Sequence, residues 1–258
     1  MLTSQLPPKP IAELSNNKFG EPLMKQLKPT IYFLILSLIG LTACGSPAPS
    51  EPQTIANTSG SLTIQGEVWA DNWFAFYLGD QLLLEDSVPI TTERSFNAET
   101  FTFQADYPLV LNFIVKDFKE NDTGLEYIGE RNQQMGDGGF IAQFTDTASG
   151  KLIAATDSQW KCTVIHEAPL DKSCESESDP VAGQGTCGFT ALAEPAGWKD
   201  AGFDDSSAWS PATVHSEAEV GPKDGYDQIS WNSATQIIWT ADLETHNTIL
   251  CRLTVEGP

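Results

Sequence analysis

Short apolar runs separated by turn-forming residues make up most of the chain from residue 62 onward. The run SLTIQGEVWA alternates apolar and polar residues, and NWFAFYLGDQLLLED carries Gly79-Asp80 between two apolar segments, the pattern of a β-hairpin. Further runs of this kind are SFNAETFTFQ, YPLVLNFIVKDF, GGFIAQFTD, KLIAATDSQWKCTVI, SATQIIWTADL and NTILCRLTV. No long segment after residue 62 has the 3.6-residue period of an amphipathic helix. The pattern predicts one all-β domain over residues 62–258, built as an antiparallel β-sandwich.

A second kind of apolar stretch, IYFLILSLIGLTAC, lies near the N-terminus, ends at Cys44 and is preceded by Lys25 and Lys28. A positive segment, a short apolar core and small residues in this order are typical of an export signal. The run is too short for a membrane span, which needs about 20 residues. A transmembrane anchor and an ordinary signal peptide are the alternatives. The residues before Met24 are polar and Pro-rich and fit no part of such a signal, so translation could start at Met1 or at Met24.

The residues LTAC, which end at Cys44, resemble the lipobox of bacterial lipoproteins. In that family the cysteine thiol takes a diacylglycerol before the signal is cut. The resemblance implies lipidation of Cys44, an extension and signal peptide over residues 1–43, and a flexible tether over residues 44–61, which are rich in Pro, Ser, Thr and Gly. It implies an exported protein anchored to the cell membrane by lipid. In a Gram-negative organism the absence of Asp after the cysteine points to the outer membrane.

The chain is strongly acidic, with a formal net charge of −21. Such a surface repels nucleic acid and anionic lipid headgroups, so we expect no nucleic-acid partner. Cations are its natural counter-partners, and calcium is the obvious candidate outside the cell. A surface kept acidic for solubility alone explains the same charge without any ligand.

The cysteine count predicts disulfide bonds. The chain has five cysteines, and lipid at Cys44 leaves Cys162, Cys174, Cys187 and Cys251. An even number in an exported chain predicts two disulfides, with three possible pairings. Zinc is the alternative, but there is no CxxC motif and the three histidines are scattered. An acidic stretch near residues 171–188 contains two of these cysteines, and we expect a bridge to staple it as an insertion within one domain.

Three segments, taken in order along the chain, resemble galactose-binding-like (jelly-roll) β-sandwich domains. They are the hairpin VWADNWFAFYLGDQLLLED, the segment that runs from Gly197-Trp198-Lys199 through FDDSSAWSPA, and the closing strands IIW and NTILCR. The second has one residue more than the family pattern between its serines and Trp209, and in the family this segment is structural. The resemblance implies a jelly-roll fold, as in bacterial surface proteins and accessory modules of glycosidases. That fold hosts sugar binders, adhesion modules and bracing domains, so it does not by itself fix an activity.

Two places are candidate sugar-binding sites. Asp71-Asn72-Trp73 stands at the entry to the first hairpin, where an acid and an amide can hold sugar hydroxyls or a cation while a ring stacks on the sugar. The alternative is that Trp73 belongs to the core and Asp71 closes a turn. Most of the seven tryptophans must be buried, but Trp231 has polar neighbours in DGYDQISWNS and Tyr226 close by. Trp231 is the candidate platform.

The segment over residues 117–139 is a candidate calcium site. It places several acids among glycines and amides, and calcium takes six to eight oxygen ligands. Its candidate ligands are Asp117, Asp122, Glu126 and Asp137. The spacing is not that of an EF-hand, and the glycines could instead serve only a tight loop with positive φ.

No enzyme motif is present: the sequence has no GxSxG, no HExxH and no phosphate-binding Gly-rich loop followed by lysine. With 35 acidic residues, no pair of carboxylates stands out as an acid–base pair. The sequence therefore favours a non-catalytic, lipid-anchored envelope protein that binds carbohydrate, with calcium as a candidate assistant. The alternative is a structural lipoprotein whose sandwich contacts another envelope protein and binds no sugar.

Overall fold

The computed structural model describes residues 52–90, 97–117, 121–206 and 209–258. The predicted signal, Cys44 and the first part of the predicted tether lie outside the described residues.

The described residues form short strands joined by turns. The strands of the first half are β1 (Gln53–Thr54), β2 (Leu62–Asp71), β3 (Trp73–Leu78), β4 (Gln81–Glu85), β5 (Ala98–Ala105), β6 (Leu109–Lys116), β7 (Leu125–Glu126) and β8 (Gln134–Met135). Those of the second half are β9 (Gly139–Asp146), β10 (Leu152–Ala155), β11 (Lys161–Glu167), β12 (Thr190–Ala191), β13 (Ser210–Pro211), β14 (Thr213–His215), β15 (Ile237–Trp239) and β16 (His246–Val255). One α-helical turn, α1 (Glu217–Val220), and two 3-10 turns, Lys172–Ser176 and Tyr226–Gln228, complete the elements.

Two large sheets pack face to face. The first has the strand order β1-β5-β2-β9-β15-β14, with β10 also paired to β9. The second has the order β12-β11-β16-β6-β3-β4, with β13 also paired to β11. Adjacent strands are antiparallel except β1 and β5, which are parallel. The chain passes repeatedly from one sheet to the other, so the predicted all-β antiparallel sandwich is confirmed and the topology is compatible with a jelly roll.

Phenylalanine side chains fill the space between the sheets. Phe76 of the second sheet lies with its ring centroid 4.9 Å from Phe113 and 5.5 Å from Phe101 of the first sheet. Phe103 and Phe144 complete the cluster around it. These residues alternate along their strands with outward-facing ones, as the sequence pattern requires for a buried face. Burial of this apolar area is the main force holding the two sheets together.

Each sheet also has a covered outer face. On the second sheet, Trp198 and Trp209 are buried against Ala75, Ile114 and Leu250. The FDDSSAWSPA segment is therefore structural here, as expected from its resemblance, although residues 207–208 within it lie outside the described residues. On the first sheet, Val220 and its neighbours pack over Trp69 and Ile141, and this cover leads to the candidate site.

The predicted tether ends earlier than expected. Residues 52–61 were predicted to be flexible, but Gln53 and Thr54 pair with Phe101 and Thr102 as an edge strand of the first sheet. The backbone N–H of Ile55 donates to the carbonyl of Thr102 at 2.8 Å, and its side chain packs on the core. A single large apolar residue and a free sheet edge are sufficient to order this stretch, which composition alone did not reveal.

The four remaining cysteines form two pairs at disulfide distance. Cys162 and Cys251 are directly opposite each other on β11 and β16, with an S–S distance of 2.00 Å. Cys174 and Cys187 are joined at 2.01 Å across 13 residues. The second bridge staples the acidic insertion, as predicted, and the structure selects one of the three possible pairings.

Candidate functional site

The candidate site is built on the outer face of the first sheet. On β2, Val68 and Ala70 point into the core, so Glu67, Trp69 and Asp71 lie on the outer face. The pairing of β2 with β9 sets Gln143 opposite Glu67, Ile141 opposite Trp69 and Gly139 opposite Asp71. The result is a stripe that begins with polar side chains, continues through an aromatic ring and ends at an acid. We call it the outer stripe.

Gln143 fixes a loop to the polar end of the outer stripe. Its side-chain Nε2 donates to a carboxylate oxygen of Glu67 at 2.6 Å and to the carbonyl of Ser230 at 3.3 Å. Its Oε1 accepts from the backbone N–H of Asn232 at 2.7 Å and from the hydroxyl of Thr235 at 3.1 Å. The side chain is only 5% exposed, so its polar atoms depend on these partners. Gln143 therefore determines where the loop that carries Trp231 lies.

Three aromatic rings follow one another across this face. The ring of Tyr226 lies 5.7 Å from that of Trp69 in an edge-to-face arrangement and 5.8 Å from that of Trp231. The indole N–H of Trp231 donates to the carbonyl of Tyr226 at 3.1 Å. Trp69 is buried, whereas Tyr226 and Trp231 are half-buried and keep part of their rings open to solvent. The structure thus places Tyr226 beside Trp231, the ring that the sequence predicts as the sugar platform, and sugar binding by this pair stays a prediction.

Features of the local sequence fix the conformation of the loop before Tyr226. Ser216 and Glu219 form a capping box at the start of α1, and Gly221 ends the helix in the left-handed conformation, with φ of 61°. Gly225 has φ of 91° and passes so close to Asn97 and Ala98 that a side chain there would clash with their backbone. The indole N–H of Trp69 donates to the carbonyl of Asp224 at 3.1 Å. These contacts position Tyr226.

Asp71 and Asn72 do not lie where the sequence predicted them. Both are fully buried, and the amide of Asn72 donates to Oδ1 of Asp71 at 2.6 Å. Side chains without exposed surface cannot grip sugar hydroxyls from solvent, so their predicted contact with sugar is wrong for this conformation. Trp73 is half-buried on the outer face of the second sheet, with the Lys116 ammonium 4.7 Å from its ring centroid. It therefore does not share a platform with Trp231.

Asp71 belongs instead to a group of buried and half-buried acids. Burial raises its pKa well above the ordinary value, and the charges of Asp137 and Glu126 raise it further, while Lys223 opposes them. Burial also raises the pKa of Glu126 and of Asp137. Burial in a site of low polarity, together with repulsion by neighbouring carboxylates, shifts a carboxyl pKa in this direction. Three acids far apart in the sequence thus share one electrostatic environment at the end of the outer stripe.

The predicted calcium ligands are only partly brought together. Glu126 and Asp137 share the electrostatic environment of Asp71, and Asp117 lies against Gly136, where a side chain would overlap its carboxylate. Asp122 faces His166, with its oxygen 3.3 Å from Nε2 of the ring. Oxygen donors are the correct type for calcium, but no group of three or more acidic, His or Cys side chains in the described ranges is arranged to hold a metal ion. Calcium binding stays a prediction.

A separate groove of about 370 Å³ lies between the edges of the two sheets. Thr163, Ser210, Thr213 and His246 are among the residues that line it. Thr240 also lines it, with its hydroxyl 2.6 Å from Nδ1 of His246 and its carbonyl 2.9 Å from Nε2 of His215. None of the predicted ligand-binding or metal residues borders this groove.

Sequence reasoning missed Glu67 and Gln143, which flank the aromatic pair. Each stands among apolar residues of its strand, in GEVWA of β2 and FIAQF of β9. A polar residue between apolar ones on two paired strands was therefore an available indication. What it could not reveal was that the two strands pair in this register.

Comparison with protein-family models, with curated proteins and with solved structures finds no match for this chain. The helical turns in the described ranges contain three to five residues, and none is long and apolar enough to span a membrane.

Proposed function

We propose that the chain is a non-catalytic carbohydrate-binding module carried by a lipid-anchored envelope protein. The observation that carries the proposal is the half-buried pair of Tyr226 and Trp231, whose ring centroids are 5.8 Å apart on the face of a sheet. Aromatic rings that are fixed in place and partly exposed present the flat apolar surface on which a sugar ring stacks. Glu67, Gln143 and the loop around Asn232 lie beside this pair and offer hydrogen-bonding groups for hydroxyls.

The resemblance to galactose-binding-like domains supports the proposal at the level of fold. The lipobox-like residues ending at Cys44 support export and lipid anchoring, and in a Gram-negative organism they support the outer membrane. Under this proposal, the lipid holds the sandwich at a membrane, and the aromatic pair binds glycans of the cell envelope or of the medium around the cell. Because Asp71 is buried, calcium bound there would act on the site indirectly and would not contact the sugar.

A glycan-panel assay tests the proposal. The purified protein is titrated against neutral, amine-bearing and uronic-acid oligosaccharides, once in calcium and once in chelator. Saturable binding to at least one glycan is expected. Loss of binding in chelator would show that calcium supports the site, and equal binding in both would show that it does not. No saturable binding under either condition contradicts the proposal.

A second candidate function, contact with another envelope protein, is favoured by one observation. Leu170 and Leu192 are 53% and 61% exposed, and Val181 is 41% exposed in the disulfide-stapled insertion between them. Exposed aliphatic side chains of this size are typical of a protein contact when they form one patch. Cross-linking in intact envelopes, with Leu192→Ser as the variant, tests this candidate. A specific partner lost in that variant would support it.

A further inference from the structure

Carboxylates are found next to the aromatic pair. The hydroxyl of Tyr226 donates to a carboxylate oxygen of Glu217 at 3.0 Å, and Asp227 follows Tyr226 in the chain. Glu67 is bonded to the same Gln143 side chain that holds the loop of Trp231. Acidic groups from β2, from α1 and from the loop itself are therefore connected to the two aromatic residues by short hydrogen-bonded or covalent links.

The phenol of Tyr226 has a raised pKa. Burial raises the pKa of its phenol to about 12, together with the hydrogen bond to Glu217 and the charges of Glu217 and Asp227. The phenol is therefore neutral at physiological pH, and its surroundings are negative. Lys223 precedes Tyr226 by three residues, and its charge lowers the pKa of Asp71, Glu126 and Asp137 at the far end of the outer stripe.

An aromatic face next to carboxylates attracts an ammonium group by two mechanisms. The negative face of the ring draws a cation placed over it, and the carboxylates add direct Coulomb attraction. The net charge of −21 adds a long-range field that draws cations toward the protein and repels uronic acids and phosphates. A neutral sugar gains only the stacking and hydrogen-bonding contributions.

We propose that the platform of Tyr226, Trp231 and Glu67 selects sugars that carry free ammonium groups, and so prefers glucosamine oligosaccharides to their N-acetylated forms. This inference rests on the proposed carbohydrate-binding function and specifies its ligand class. The ring of a glucosamine unit stacks on Trp231 while its ammonium group faces the carboxylates of Glu67 and Glu217. Acetylation removes the positive charge and leaves those carboxylates without a cationic partner.

The test compares short oligosaccharides of equal length by calorimetric titration of the purified protein. The probes are a glucosamine tetramer, an N-acetylglucosamine tetramer and a tetralysine peptide. We expect the glucosamine tetramer to bind at least tenfold more tightly than the acetylated one, and this preference to shrink as salt is raised. Tetralysine distinguishes a sugar site from unspecific attraction to an acidic surface. Displacement of the glucosamine tetramer by equimolar tetralysine would overturn the proposal.

Two isosteric variants locate the effect. Glu67→Gln keeps an oxygen for the Gln143 amide, and Glu217→Gln keeps one for the Tyr226 hydroxyl, so neither removes a hydrogen-bond acceptor. Each should reduce the preference for the glucosamine tetramer several-fold with little effect on the acetylated tetramer. Glu256→Gln, at an exposed position near the end of β16, is the matched control and should keep the preference. Thermal unfolding checks that all three variants are folded.

The outcomes separate the two proposals. Equal affinity for the two tetramers, or an unchanged preference in both site variants, would overturn the ammonium selectivity while leaving carbohydrate binding intact. Absence of binding to either tetramer and to every other glycan in the panel would overturn the carbohydrate-binding function itself.

Discussion

The side-chain amide of Gln143 joins Glu67 to the loop that carries Trp231. Nε2 donates to Glu67 at 2.6 Å, and Oε1 accepts from the backbone of Asn232 at 2.7 Å. One buried side chain thus connects two strands of the first sheet with a segment almost ninety residues further along the chain. The position of the aromatic pair depends on this connection.

Replacing Gln143 by Ala should destabilise the protein and loosen the loop. The substitution leaves buried partners without hydrogen bonds, which costs about 1–3 kcal/mol of unfolding free energy. Urea unfolding measures the loss, and glycan titration measures the accompanying decrease in affinity. Gln104→Ala, at an exposed position on β5, is the control and should change little. Equal stability of the two variants would contradict the role assigned to Gln143.

Arg252 should be essential for the cover of the second sheet. Its buried guanidinium donates to Asp205 at 2.6 Å, to the carbonyl of Phe203 at 3.2 Å and to the carbonyl of Asp200 at 2.9 Å. We expect Arg252→Ala to lower the unfolding free energy by about 3–5 kcal/mol, because it leaves Asp205 and two carbonyls without their donor. Asp205→Asn should cost less, since an amide oxygen can still accept. Urea unfolding followed by tryptophan fluorescence provides the measurement, and a cost below about 1 kcal/mol for Arg252→Ala would be the contrary result.

The two disulfides should differ in their contribution to stability. Cys162 and Cys251 are separated by 89 residues, and Cys174 and Cys187 by 13. Chain-entropy arguments assign about 4–5 kcal/mol of unfolding free energy to the disulfide that closes the longer loop and about 3 kcal/mol to the one that closes the shorter loop. Replacing each pair by Ala and comparing unfolding free energies tests the order. The order would be refuted if removing the pair in the insertion cost as much as removing the pair in the core.

Stability should depend on pH through Asp86. Burial raises the pKa of its carboxyl from 3.8 to about 7, and the charge of Glu99 also raises it, against hydrogen bonds from Val88 and Asn97. The protonated carboxyl therefore stabilises the fold at low pH, and this contribution is lost as pH rises from about 4 to about 7. The unfolding free energy of Asp86→Asn should thus be about 1–3 kcal/mol higher than that of the unmodified protein at pH 8, and the two should be equal near pH 4.

Asp106 provides a control of opposite sign for that experiment. Hydrogen bonds from the hydroxyl and backbone N–H of Ser61 lower the pKa of its exposed carboxyl. Its contribution to the unfolding free energy is therefore present at pH values above the ordinary carboxyl pKa and is lost as the pH falls. Asp106→Asn should be less stable than the unmodified protein at neutral pH, with the difference vanishing in acid. The same pH profile for both Asn variants would show that the account of Asp86 is wrong.

The sequence predicted the sandwich because the alternation of apolar and polar residues is local. The turn at Gly79-Asp80 and the strands around it follow from that pattern, and β3 and β4 are found where expected. The sequence could not predict that Asp71 and Asn72 are buried, because their cover comes from other parts of the chain. The same holds for Gln143, whose side-chain partners are 76 to 92 residues away.

The aromatic pair is an intermediate case. The polar neighbours of Trp231 indicated an exposed ring, and the nearness of Tyr226 in sequence indicated a partner. The third ring, Trp69, is more than 150 residues away from Tyr226 and joins them only through the fold. The pairing of Gln53 with the edge of the first sheet could likewise not be predicted. The composition of this stretch indicates flexibility, but it does not show that an edge strand elsewhere in the fold is free to pair with it.

Calorimetric titration of the glycan panel against Trp231→Ala and Trp73→Ala tests the central claim most directly. Both variants remove a half-buried tryptophan, but the first acts on the proposed platform and the second on the outer face of the other sheet. Loss of a stacking ring should weaken binding about tenfold, so Trp231→Ala should bind about ten times more weakly than the unmodified protein while Trp73→Ala binds as well. Undiminished affinity in a folded Trp231→Ala variant would contradict the claim that this aromatic pair binds carbohydrate.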